Sequence, residues 1–281
     1  MPKHQDPSSR SSRDLVSQSL EAEDYQDLQT VVRLLENPGF AMRLVNWLGV
    51  PIEFFIRALP YPISLGLRWM THRALGKALW VAVLTLRKKN SIRPSKWRPR
   101  GLVLLSGVMG GFWGLPGLIL ELPVSTTIML RAIAEVARSE GEDLASIEAQ
   151  MACIEVFGLG GARRADDAAE TGYYAIRAAL AKVVSEAAEF VAERGVVQEG
   201  APILIRLMAR LTSRFGAVVS EKAMAEMLPI IGALGGGIIN FLFIQHFQSM
   251  ARGHFVVRRL ERKYGIEKVR AEYQRIASRE V

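Results

Sequence analysis

An all-α fold follows from this sequence: a multi-helix bundle with two glycine-rich apolar helices or hairpins at its core. Three observations predict it. Apolar residues recur at helical spacing in several long runs, as in "TTIMLRAIAEVARSEGED" and "PILIRLMARLTSRF". No stretch of alternating apolar and polar residues is long enough to read as a strand. Two uncharged segments carry glycines four residues apart (Gly107/Gly111, Gly110/Gly114 and Gly232/Gly236), a spacing that lets a second backbone approach one helix face. With 281 residues, 49% of them apolar, the chain buries a sizeable core. Its single cysteine, Cys153, excludes an intramolecular disulfide.

Taken in order, residues 1–20 are polar and lack the apolar run of a signal peptide, so they read as a disordered tail made in the cytoplasm. A basic, aromatic-rich helical region over 21–100 follows, then a helical domain over 101–281. The first helix covers 21–36 and stops at "NPG". From 40 to 86 short apolar helices alternate with breaks at Pro51, Pro60 and Pro62. Residues 87–100, "RKKNSIRPSKWRPR", form a basic linker with seven cations and no acid, read either as a solvated loop or as a contact to anionic lipid. The apolar run 101–120 is twenty residues, just long enough to cross a bilayer at about 1.5 Å per residue. Pro116 interrupts it, which favours a helical hairpin, dipping into lipid or buried in protein, over a straight span. A closely packed soluble core is the competing account.

The next helix places Met129, Ile133, Val136 and Ala137 on its apolar face. Helices over 146–158 and 168–194 follow, the second with Ile176, Leu180, Val183, Val184, Ala187, Phe190 and Val191 on one side. In 202–215, Leu204, Leu207, Met208, Leu211 and Phe215 oppose a stripe of Arg206, Arg210 and Arg214. The uncharged segment 227–251 leads into a basic helix stopped by Gly265, and a last amphipathic helix closes the chain.

Charge is uneven. The whole chain carries +8, but residues 40–100 hold twelve Lys/Arg and one acid, and residues 121–227 hold eleven bases and sixteen acids. Four of the five tryptophans, Trp47, Trp69, Trp80 and Trp97, fall in the basic window. Trp interleaved with Arg and Lys on apolar segments suits the membrane interface, where amphipathic rings and snorkelling cations both fit. Lipid contacts are therefore expected from Arg87, Lys88, Lys89, Arg93, Lys96, Arg98 and Arg100, with Trp69, Trp80 and Trp97 as anchors. Nucleic acid is disfavoured as the anionic partner because the flanking sequence is apolar.

The glycines of 107–114 match neither a phosphate loop nor a dinucleotide fingerprint. Helix packing is the role expected of Gly107, Gly110, Gly111, Gly114, Gly232 and Gly236. No cofactor is called for. His4, His72, His246 and His254 show no zinc-ligand spacing, and Asp166, Asp167 and Glu170 read as acids at a helix start beside Arg163 and Arg164. No G-x-S-x-G elbow is present. Two buried polar candidates remain. Glu121 ends the first apolar run, either desolvated or capping the following helix, and Asn240 sits within the second uncharged segment. Cys153, among apolar neighbours, is expected to be inert core.

Three blocks, "GxxGGxxGLPGLILELPVSTTIMLRAIAEVARSEGED", "DDAAETGYYAIRAALA" and "LPIIGALGGGIINFLFIQHFQSMARGHFVVRRLERKYG", together resemble the bacterial EcsC family over roughly 100–265. Family members often carry Asp-Leu-Pro where this chain has Glu121-Leu122-Pro123. The family is named for a protein encoded beside an ABC transporter, and the resemblance implies no catalytic residue. The expected protein is thus a non-enzymatic, helical, membrane-associated one, on the cytoplasmic side of the cell membrane, peripheral or partly inserted. Its expected partner is anionic lipid or a membrane protein complex. The alternative is a soluble hydrolase-like enzyme using Glu121 in a buried pocket.

Overall fold

A computed structural model describes residues 20–36, 61–86, 121–161, 172–194, 200–226 and 232–280. Among them run eight helices and no strand. They are α1 (Ala22–Glu36), α2 (Tyr61–Thr85), α3 (121–139), α4 (Ile147–Leu159), α5 (Gly172–Arg194), α6 (Pro202–Glu226), α7 (Gly232–Tyr264) and α8 (Ile266–Glu280).

Local chemistry sets the ends. Pro62 lies in the first turn of α2, where a missing N–H costs nothing, so it opens a helix. The expected break at Pro62 is corrected there, since 61–85 is one continuous helix, while Pro51 and Pro60 lie outside the described residues. Pro202 starts α6 in the same way, and α6 continues past residue 215 to Glu226. After α3 the chain turns through Gly141 at φ +81°, and the Glu142 N–H returns to the Ala137 carbonyl at 3.0 Å. Ser146 caps α4, its hydroxyl accepting from the Ala149 N–H at 3.1 Å. Gly265, at φ +89°, separates α7 from α8 as the sequence predicts.

α4 is buried along almost its whole length and touches α2, α5, α6 and α7. Around it Phe157, Phe215, Phe243 and Phe247 form an edge-and-tilt cluster with centroids 5.1–6.0 Å apart. α2 lies on α6, and α1 lies on α7 and α8. The predicted core faces of α3, α5 and α6 turn inward, although Val136, Val183, Val184 and Phe190 stay half-buried. Of the Arg stripe on α6, Arg206 and Arg210 are exposed, whereas Arg214 is half-buried, its Nε donating to the Gly158 carbonyl at 2.7 Å.

Gly107, Gly110, Gly111 and Gly114 lie outside the described residues, as do Asp166, Asp167 and Glu170. Gly232 and Gly236 fall in the first turns of α7. Close approach is visible at other glycines. A Cβ on Gly253 would stand 2.5 Å from Leu35 Cγ, and one on Gly158 would stand 2.7 Å from Leu180 Cδ1 and 2.9 Å from Leu211 Cδ2. Among the described residues no helix is long and apolar enough to cross a membrane.

Candidate lipid surface and buried polar centres

Helix α2 exposes large apolar side chains. Trp69 is 58% exposed and Trp80 51%, with Leu65 and Leu84 close behind. At roughly 100° per residue these four fall within an arc of about 100°. Arg73 falls within that arc, His72 and Lys77 lie about 20° beyond its two edges, and Arg68 stands further round, all four exposed. The Arg73 guanidinium stacks 4.6 Å from the Trp69 ring centroid. Between α2, the start of α3 and α6 lies a groove of about 600 Å³. It is lined by Trp69, Trp80, His72, Arg73 and Lys77 among others, and by no acid among the described residues. Ile205, Arg206 and Arg210 extend the same mixture across α6. The structure therefore brings Trp69 and Trp80 together on one exposed face. Trp97 and the cations Arg87, Lys88, Lys89, Arg93, Lys96, Arg98 and Arg100 lie outside the described residues.

Both buried polar candidates are in fact buried. Glu121 opens α3 and accepts a 2.6 Å hydrogen bond from the Lys222 ammonium of α6, which is fully enclosed. Glu226, one turn on, stands 3.5 Å from the same ammonium without hydrogen-bond geometry. Burial alone would lower the Lys222 ammonium, but Glu226 and Glu121 outweigh it and hold its pKa above the ordinary lysine value. Burial pushes the Glu226 carboxyl up to about 6; Lys222 opposes that shift and Glu121 adds to it. Phe243 closes the site, its ring centroid 5.1 Å from Lys222 Nζ. Asn240, one turn before Phe243, has no hydrogen-bond partner among the described residues. Lys222 escaped the sequence reading, yet it continues the buried stripe Leu211, Phe215, Val218, a cation where an apolar residue belongs.

A second polar centre joins α4, α5 and α7. Arg177 clasps both oxygens of Glu261, at 2.7 and 2.8 Å, and the Tyr174 hydroxyl donates to the same carboxylate. The Tyr173 hydroxyl meets His254 Nδ1 at 3.0 Å, and His254 Nε2 lies 4.0 Å from Glu155. Burial, with Arg177 and Arg258 adding, holds His254 well below the ordinary imidazole value, so it is neutral. Burial pushes the Glu155 carboxyl up to about 7 against the pull of both arginines. Burial likewise raises the Cys153 thiol, which leaves it inert as expected. Arg258 holds both oxygens of Glu142 at 2.8 and 3.1 Å, and Arg262 joins it. Beside Glu155 a trough of about 620 Å³ opens between α4 and α5. No group of three potential ligands gathers for a metal among the described residues.

Much of this centre comes from the segments that carry the family resemblance: Tyr173, Tyr174 and Arg177 from the second block, His254, Arg258 and Glu261 from the third. No curated protein and no solved structure matches the chain. The model of the EcsC protein family does match, over residues 81–260, from within α2 to the last turns of α7. That span is well over half of the sequence, and the chain belongs to the EcsC protein family.

Proposed function

We propose that this protein works at a membrane surface, holding anionic lipid or a complex in an anionic membrane through the exposed face of α2. The carrying observation is the grouping of Trp69 and Trp80 with Arg73 and Lys77 on the exposed face of α2. Large exposed rings are costly in water and favourable at the headgroup level, where cations meet lipid phosphate. Each cation near an anionic surface contributes about 1 kcal/mol, so α2 and the basic stretch 87–100 together supply substantial attraction.

Enzymatic use of Glu121 has weaker support. Its carboxylate is tied to Lys222 and lines neither of the two cavities described above. The deciding experiment is vesicle sedimentation with phosphatidylserine-containing and purely zwitterionic liposomes. Native protein is expected to pellet with the anionic vesicles, and Trp69→Ala/Trp80→Ala to stay mostly in the supernatant while keeping its helical circular dichroism. Equal pelleting of native protein and double variant would overturn the reading.

A further inference from the structure

The trough between α4 and α5 has acidic groups at both ends and an apolar floor between them. Gly158 of α4 meets Leu180 of α5, and Glu148 shares the trough with Glu189 and Glu193. A parallel pair would hold Glu148 and Glu193 more than about 30 Å apart, so the helices run antiparallel and these acids sit at one end. Glu155 stands at the opposite end, seven residues and about 10 Å along α4. Met151, Ala152, Val184 and Ala188 line the space between. The Glu155 side chain is over nine-tenths buried, lines the trough, and its Oε1 has no partner among the described residues.

We propose that this trough binds a linear polyamine, one ammonium against Glu155 and another against Glu148, Glu189 and Glu193. Two arginines, Arg177 and Arg258, also border the trough, but each is matched by a carboxylate of its own, Glu261 and Glu142. None of the four lining carboxylates holds a salt bridge to Lys or Arg among the described residues, so the trough favours positive charge. The apolar strip fits the methylene segments that separate ammonium groups in such a ligand. A compact metal cation would leave that strip unused.

The Glu155 carboxyl is surrounded by Arg177 and Tyr173 of α5 and by His254, Arg258 and Glu261 of α7. Its pKa of about 7 means the empty site is about half protonated at neutral pH. An arriving ammonium takes the proton's place, so binding releases a proton and strengthens as pH rises. With that pKa, affinity should increase about tenfold from about pH 6 to about pH 8.

Calorimetric titration of the full-length protein with spermidine, in buffers of different ionisation enthalpy, tests the proposal. Saturable binding with proton release, tightening with pH, is the expected result. Glu155→Gln should weaken binding about tenfold and remove the pH dependence. Glu189→Gln/Glu193→Gln should weaken it while keeping the pH dependence. Ser185→Trp, which fills the trough from an exposed position, should abolish it. No binding at millimolar spermidine would overturn the proposal, as would unchanged binding in Glu155→Gln or Ser185→Trp, or tighter binding of citrate.

Discussion

Lys222 holds a full positive charge where neighbouring turns of α6 bury Val218 and Ala225. Its enclosure makes the two nearby carboxylates obligatory: remove the ammonium, and Glu121 and Glu226 face each other without compensation. Lys222→Met is therefore expected to cost about 3–5 kcal/mol in urea unfolding, whereas Glu121→Gln/Lys222→Met/Glu226→Gln should recover much of that loss. A single-variant loss below about 1 kcal/mol would show that the ammonium is dispensable. Glu155 makes the opposite kind of demand. Its folded carboxyl titrates near 7 against 4.5 for the free group, so the folded state binds the extra proton between those values. Its contribution to stability is present below about pH 4.5 and lost as pH rises through about 7. His254, held neutral, works the other way as pH falls through 6.5. Comparing Glu155→Gln with native protein isolates the carboxyl, because Gln keeps it uncharged. The variant should be more stable by up to about 3 kcal/mol near pH 8 and about equal near pH 4.5, read from melting curves. A constant difference across that range would sink the assignment.

At the scale of elements, α7 shows how far pattern carries. Gly265 predicts its end, and the residues the structure buries along it, Phe243, Phe247, Met250 and Val257, recur at helical spacing. His254 and Glu261 fall on that same row, yet only Glu121 and Asn240 stand out in the sequence as buried polar candidates. The partners of His254 and Glu261 were not legible either, because Tyr173, Arg177 and Glu155 arrive from helices eighty or more residues away. Likewise Glu121 was legible as a buried acid, while Lys222 lies 101 residues off in sequence. Glycine spacing predicted close packing, but the tight contacts described fall at Gly253 and Gly158, which follow no four-residue pattern in their own helices. Gly253 seats α7 on α1 through Leu35. Gly253→Ala should cost about 1–3 kcal/mol by crowding that side chain, and Leu35→Ala should relieve the crowding in the double variant. Additive losses in the double-mutant cycle would mean that the two residues do not share the contact.

On the scale of the whole molecule, the two faces differ in charge. α2 presents rings and cations, whereas the α4–α5 trough presents carboxylates. Repulsion between that trough and an anionic membrane favours an orientation with α2 towards the lipid. The basic stretch 87–100 adds seven cations directly after α2. Arg87→Gln/Lys88→Gln/Lys89→Gln is expected to weaken vesicle binding at low salt and to flatten its dependence on ionic strength. Unchanged low-salt binding would remove that stretch from the surface. Composition made this polarity readable in advance, through the basic window and the acidic one. What composition does not contain is the arrangement of α1, whose Asp24 meets Lys263 and Tyr264, each at 2.7 Å, and whose Asp27 meets Arg259. Glu36, at its end, accepts from the Tyr273 hydroxyl at 2.7 Å. These partners are separated from α1 by more than two hundred residues. During synthesis α1 leaves the ribosome long before α7 and α8 exist, with Leu28, Val31, Val32 and Leu35 lacking their eventual cover. Closure of the bundle is thus postponed to the last moments of translation, and a nascent chain stalled before residue 250 carries an unsheathed first helix for chaperones to hold.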